Sequence, residues 1–227
     1  MPVIPVQDRR YEFFPVRRVY CVARNFADHA AQTGAAAGEK PFFFMKQPDM
    51  IVPVEDGRVW QMPLPDDTDA FEYEIELVAC LGRGGRNLTR EAAVDAVWGW
   101  CAGIDFTKRD RIRELSAAGR AWDLGKNFEG AAPVSHVRPM ARTPLPAHTD
   151  LWLYVNNRKM QAGNTAQMIR DPFELISELS RHFTLAPGDL VFTGTPGGTG
   201  ALSAGDRIEA GVNGVGSLKI ELTAARA

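Results

Sequence analysis

Apolar residues along the chain fall into short runs rather than long helical stripes, and the runs predict strands. Val19 to Val22 and Phe42 to Met45 read as short buried strands, and Gly57 to Met62 as an edge strand or hairpin arm. The clearest is Glu74 to Leu81 (EIELVACL), which runs into the turn Gly82-Arg83-Gly84-Gly85. Trp100 to Phe106, Leu151 to Val155 before Asn156-Asn157, and Leu190 to Thr193 follow. Arg207 to Ala210 and Ser217 to Thr223 close the chain as β segments around Asn213-Gly214. Helices are expected around Phe26 to Thr33, over Arg90 to Val97 with Thr89 as N-cap and Glu91 in the first turn, from a Thr107 cap to about Gly119, and over Pro172 to His182. Gly34 to Lys40 is small and polar and reads as a mobile loop. Strands dominate and helices interrupt them irregularly, without a βαβ rhythm, so the fold class is α+β with a mixed, heavily β core.

The chain has 227 residues, enough for one sizeable domain, with 45% hydrophobic and 24% charged residues. Residues 1–15, containing Pro and Arg, are expected to form an N-terminal arm, and 16–227 the main domain. No apolar run is long enough to cross a bilayer, and the first twenty residues lack the apolar core of a signal peptide, so a cytoplasmic location is expected. Net charge is −2 with scattered basic residues, which argues against a nucleic-acid or membrane partner. Cys21, Cys80 and Cys101 sit in apolar contexts without paired spacing, so buried thiols are expected rather than disulfides or a zinc site.

Candidate chemistry begins with Glu74 and Glu76. Two residues apart on a strand, they project to one face, roughly 6.5 Å apart along it. Val78 and Cys80 share that face, and Ile75, Leu77, Ala79 and Leu81 line the other, so the strand reads as internal. Like charges on a buried face are costly unless a cation neutralises them, although a strand end open to water would explain the pair equally simply. Asp105, at the end of a second buried strand, shifts the balance. Three carboxylates on neighbouring strands make an oxygen-rich site suited to Mg²⁺ or Mn²⁺. His29 and Lys126, each read alone, are more often structural or surface residues. The segment Gly194 to Gly200 either forms a tight hairpin or presents backbone N–H groups and the Thr195 hydroxyl to an anion; it fits neither the Walker nor the dinucleotide pattern.

Taken in order, several motifs resemble the fumarylacetoacetate hydrolase family, most closely its short acylpyruvate (fumarylpyruvate and maleylpyruvate) hydrolase branch. They are Tyr20-Cys21-Val22-Ala23-Arg24-Asn25-Phe26 with Ala27-Asp28-His29, Phe43-Phe44-Met45-Lys46, and Tyr73-Glu74-Ile75-Glu76-Leu77. Then come Gly103-Ile104-Asp105-Phe106-Thr107 with Arg109-Asp110, Trp122-Asp123-Leu124-Gly125-Lys126, Pro187-Gly188-Asp189, and Thr193-Gly194-Thr195-Pro196. The resemblance implies a mixed β-roll with short peripheral helices, a homodimer, and Mg²⁺ or Mn²⁺ held at Glu74, Glu76 and Asp105. It implies His29 as general base on a helix, Lys126 as a catalytic lysine, and Arg24, Thr195 and Gly194 near a substrate carboxylate. Family substrates are 2,4-dioxo acids of aromatic catabolism, cleaved to pyruvate and a second acid. Such an acid can chelate a cation through its carboxylate and 2-oxo oxygens while a deprotonated water attacks the distal carbonyl.

The sequence departs from that pattern in four places. Gln32 stands one helical turn after His29, where the family's hydrolases usually carry a glutamate. An amide can orient an imidazole but cannot offset positive charge on it. Ala23, Ile112 and Arg170 replace a common glycine, glutamine and aromatic; Arg170 is either a reader of an extra substrate carboxylate or a surface residue. Gln32 keeps open a decarboxylase or tautomerase acting on oxaloacetate, and a non-catalytic metal and keto-acid binder. Gln32→Glu is expected to raise the hydrolytic rate; an unchanged turnover number in a pyruvate-release assay would remove Gln32 from the account.

Overall fold

A computed structural model describes residues 1–7, 12–32, 40–140 and 148–225, with the backbone alone at 31 and 32. The loop expected over Gly34 to Lys40 falls, as far as residue 39, outside the described residues. Two large β-sheets, two small two-stranded ones and a few short helices among the described residues make the α+β architecture expected from the strand-rich pattern. The larger sheet runs in the order Phe42–Lys46, Arg18–Ala23, Asp189–Phe192, Ile75–Leu81, Val97–Ile104, Ala132–Val134, Ile51–Pro53, with Arg138–Pro139 also pairing on Val97–Ile104. The smaller sheet runs Arg158–Asn164, Asp150–Val155, Arg207–Val212, Gly216–Thr223, Val59–Pro63. Parallel pairs (Asp189–Phe192 on Arg18–Ala23 and Ala132–Val134 on Ile51–Pro53 in the larger sheet, Gly216–Thr223 on Val59–Pro63 in the smaller) interrupt otherwise antiparallel ladders, so both sheets are mixed. At the N-terminus, Val3–Pro5 pairs antiparallel with Phe13–Pro15, and Ile4, Phe14 and Val16 are buried.

The Ile75–Leu81 strand is the axis of the molecule. It is hydrogen-bonded on both sides, to Asp189–Phe192 and to Val97–Ile104, and all seven residues are buried. Its alternation divides the core: Ile75, Leu77, Ala79 and Leu81 face one apolar cluster, Val78 and Cys80 another. The first cluster fills the space between the sheets, where Leu151, Leu153, Ile208, Leu218 and Ile220 of the smaller sheet join it. In the second, Ile4, Phe14 and Val16 cover the opposite face, and the three cysteines are buried free thiols.

Helices flank the sheets. Thr89 caps Arg90–Ala96 by accepting the Ala92 N–H at 3.2 Å, and Asp171 closes a capping box with Glu174 at the start of Pro172–His182. Two boundaries differ from expectation. Val97–Ile104 begins directly after its helix, three residues before Trp100, because the β-branched Val97 already pairs with Leu81. Thr107 does not cap the next helix: Thr107–Lys108 pairs with Phe71–Glu72, and Arg109–Ala117 starts behind Lys108 without a side-chain cap. The Thr107 hydroxyl is instead drawn inward by a buried lysine, as described below. No helix of the described residues is long and apolar enough to cross a membrane.

Leu77 is fully buried in the inter-sheet cluster. Leu77→Ala is expected to lower unfolding free energy by about 2–5 kcal/mol in a denaturant titration, from lost transfer energy plus the cavity left behind.

Candidate active site

Glu74 and Glu76 stand where the axial strand begins, and Asp105 directly follows the neighbouring strand. Glu76 pairs in register with Gly103, and the Asp105 N–H donates to the Glu74 carbonyl at 2.8 Å, so the two strand ends are fastened side by side. All three carboxylates are buried, with Glu76 and Asp105 each 1% exposed. One ligand oxygen from each lies within 4.8 Å of the others.

The cluster carries its own cations. Lys126 Nζ donates to Glu74 Oε2 at 2.9 Å, Asp105 Oδ2 at 2.8 Å and the Thr107 hydroxyl at 2.6 Å. Gly125 lets the short Asp123–Lys126 helix approach this closely: a Cβ there would lie 2.5 Å from Ile112 Cδ1. Lys46, fully buried at the end of its strand, reaches Asp105 Oδ1 at 2.9 Å and donates to the carbonyls of Phe106 and Lys126. Arg109 spans Glu72 at 2.8 Å and Glu74 at 2.7 Å.

Proton affinities follow from this layout. Burial alone would raise the Glu74 carboxyl, but Lys126, Arg109 and His29 outweigh it and hold the group down at about 2. Burial opposes charge on Lys126 too, yet Asp105 and Glu74 keep its ammonium above the ordinary value. Lys46 is pushed down by burial, against the pull of Asp105. Glu76 goes the other way: burial, then the charges of Asp105 and Glu74, push it well above the ordinary range despite the Gly194 N–H donated at 2.6 Å. A further positive charge beside Glu76 would favour its ionised form. Hard carboxylate oxygens at this spacing suit a divalent ion such as Mg²⁺ or Mn²⁺.

Glu74 and Glu76 open into a cavity of about 420 Å³. His29, Arg24, Thr195 and Lys126 line it with Glu74 and Glu76, and so do Arg109, Phe44, Ile112 and Trp122. His29 sits on the Ala27–Gln32 helix, and burial holds its imidazole below the ordinary value against the opposing pull of Glu74. Asp28 ties that helix to the glycine-rich segment, accepting the Gly197 N–H at 3.0 Å. Arg24 has φ +61°, in the left-handed region where a non-glycine residue is strained by about 1–3 kcal/mol. Asn25 anchors the following turn, bridging the carbonyls of Arg170 and Thr193.

The glycine-rich segment turns its donors mainly inward. Gly194, at φ +94°, gives its N–H to Glu76, and a Cβ there would meet the Asn25 Cβ at 2.7 Å. The Thr195 hydroxyl donates to the Ile75 carbonyl and accepts from Gln161. Among the described residues, Arg170 lines a separate surface depression with Arg90, Glu174 and Arg181 rather than this cavity. The Gln32 side chain falls outside the described residues. Sequence reading assigned no role to Lys46, Arg109 or Gln161, and read Thr107 only as a helix cap. For Lys46 a signal existed: a lone charge closing the apolar run Phe42 to Met45.

Two mixed sheets, a buried carboxylate trio with its own lysines, and a polar cavity above them define a metal-site enzyme scaffold, and its family can be stated. Residues 18–223 match the fumarylacetoacetate hydrolase C-terminal family, and the chain belongs to it. The fold superposes on the fumarylpyruvate hydrolase of Pseudomonas aeruginosa, crystallised with Mn²⁺ and pyruvate, with a TM-score of 0.95 and 40% identity over 98% of this chain and 96% of that one. The chain is 36% identical to the mitochondrial oxaloacetate tautomerase FAHD1 of Bos taurus, covering 91% of each. It is 35% identical to the oxaloacetate tautomerase YcgM of Escherichia coli, over 86% of this chain and 88% of that protein.

A carboxylate whose folded pKa is raised destabilises the fold increasingly as pH climbs above its unfolded value. Metal-free Glu76→Gln is therefore expected to melt higher than the parent at about pH 8. The same variant should lose the rise in melting temperature that Mn²⁺ gives the parent. An unaltered Mn²⁺ binding isotherm would take Glu76 out of the ligand set.

Proposed function

We propose that the protein is a metal-dependent acylpyruvate hydrolase that adds water across the C–C bond of a 2,4-dioxo acid, with fumarylpyruvate or maleylpyruvate as substrate. The observation that carries this reading is that one cavity is lined by Glu74 and Glu76, whose oxygens lie within 4.8 Å of an Asp105 oxygen, and by a buried imidazole whose proton affinity burial lowers. Glu74, Glu76 and Asp105 would hold Mg²⁺ or Mn²⁺, which when bound supplies Lewis-acid stabilisation of charge developing on substrate oxygen. His29 takes a proton from the attacking water at Nδ1 or Nε2 and passes it on as the bond to the pyruvate carbon breaks. Lys126 keeps its proton and offsets negative charge beside Glu74 and Asp105. Arg24 places the substrate's carboxylate end, Thr195 forms the cavity wall beside it with its hydroxyl held by the Ile75 carbonyl, and Gly194 orients Glu76 through its N–H. The products are pyruvate and fumarate or maleate, as expected in aromatic catabolism. A homodimer in the cytoplasm is the working assembly.

A second reading is favoured by the two tautomerase relatives: interconversion of the enol and keto forms of oxaloacetate, which needs proton transfer but no attacking water. Metal-reconstituted protein mixed with fumarylpyruvate, followed by loss of enol absorbance with product identification, separates the two. Chelator-sensitive release of pyruvate and fumarate supports the hydrolase. Inertness toward fumarylpyruvate with rapid oxaloacetate enol–keto exchange, and no carbon–carbon cleavage, transfers the assignment to the tautomerase.

Because burial lowers the His29 pKa, the acid limb of kcat/KM should lie below pH 6.5, the ordinary histidine value. His29→Ala is expected to cost about 10²–10⁴-fold in kcat and abolish that limb. A limb of the same position in the variant assigns the base elsewhere.

A further inference from the structure

We propose that Arg113 is the specificity determinant that receives a second, distal carboxylate of the substrate; this rests on the dioxo-acid reading above. Arg109, Ile112, Arg113 and Ser116 form one stripe (i, i+3, i+4, i+7) of the Arg109–Ala117 helix, and all four line the catalytic cavity. The stripe grades outward. Arg109, 18% exposed, is committed to Glu72 and Glu74. Ile112 is buried, and with Phe44, Trp122 and Val22 it gives the cavity an apolar wall. One helical turn beyond Arg109, about 6 Å along the axis, Arg113 is exposed and makes no hydrogen bond or ion pair among the described residues. Its helix neighbour Arg111 is held by Asp67 and Glu114. The cavity thus offers carboxylate oxygens for a cation, an apolar stretch, and an uncommitted guanidinium. A linear acid with a chelating head, an unsaturated hydrocarbon middle and a carboxylate tail complements that sequence of surfaces. A planar guanidinium can take the tail carboxylate through two parallel hydrogen bonds. Ile112 contributes by giving the hydrocarbon segment an apolar neighbour where an amide would compete for the tail.

The test uses a length-matched pair without a 4-oxo group, so that binding is read without cleavage: 2-oxoheptanedioate and 2-oxoheptanoate, titrated calorimetrically into the Mn²⁺-loaded full chain. The parent is expected to prefer the dicarboxylate by about 10–100-fold. Arg113→Gln should erase that preference, and Arg113→Lys should retain part of it. Equal preference in parent and Arg113→Gln, or no preference in the parent, overturns the assignment. Cleavage of fumarylpyruvate by the parent is scored separately. A parent that cleaves it but shows no carboxylate preference loses only the Arg113 assignment; a parent that shows the preference but cleaves no acylpyruvate loses only the hydrolase reading.

Discussion

The ammonium of Lys126, buried and bound at once to Glu74, Asp105 and Thr107, holds the centre of the molecule together. Removing a carboxylate from water is expensive, and three within 4.8 Å would repel one another strongly in a dry interior. Lys126, Lys46 and Arg109 make that concentration of charge compatible with a folded chain. Compensation is incomplete, and the shortfall falls on Glu76. A site balanced in this way is stable enough to fold and still under-charged enough to attract a cation.

The need to hold that cluster explains features of the surrounding fold. The Ile75–Leu81 strand is covered by apolar residues on both faces and paired on both edges, so its first residues have little freedom to drift. The neighbouring strand ends at the same level and delivers Asp105 across the ladder. The cations arrive from elsewhere: Lys46 from an edge strand, Lys126 from a four-residue helix packed through Gly125, and Arg109 from the start of a longer one. Rigid strands place the acids, and peripheral elements bring their partners.

Much of this was legible in the chain. Period-two alternation in EIELVACL identified both the internal strand and the shared face of Glu74 and Glu76, because side-chain direction on a strand is fixed locally. The Asp105 strand was equally visible. The ionic partners were less so: whether Lys126 or Lys46 is a surface residue or a buried one depends on contacts 52 and 60 positions away along the chain, and no local pattern carries that information. Thr107 shows the same limit. Its type and position suit an N-cap, but a long-range bond from Lys126 takes the hydroxyl and the helix begins two residues later. Arg170 was singled out as a departure from the family pattern, whereas the contacts of its backbone with Asn25, 145 positions away, had no local signal.

The glycine-rich segment links two groups that chemistry would keep separate. At one end Gly194 N–H holds Glu76; three residues later Gly197 N–H holds Asp28, whose neighbour is His29. The segment therefore joins the carboxylate side of the cavity to the helix that carries the imidazole. Ions of different radius would seat Glu76 differently, and the linkage would carry that difference to the helix. Under the proposed roles of Glu76 and His29, the size of the ion would then become a setting for the position of the base, and two metals that bind equally well would not serve catalysis equally.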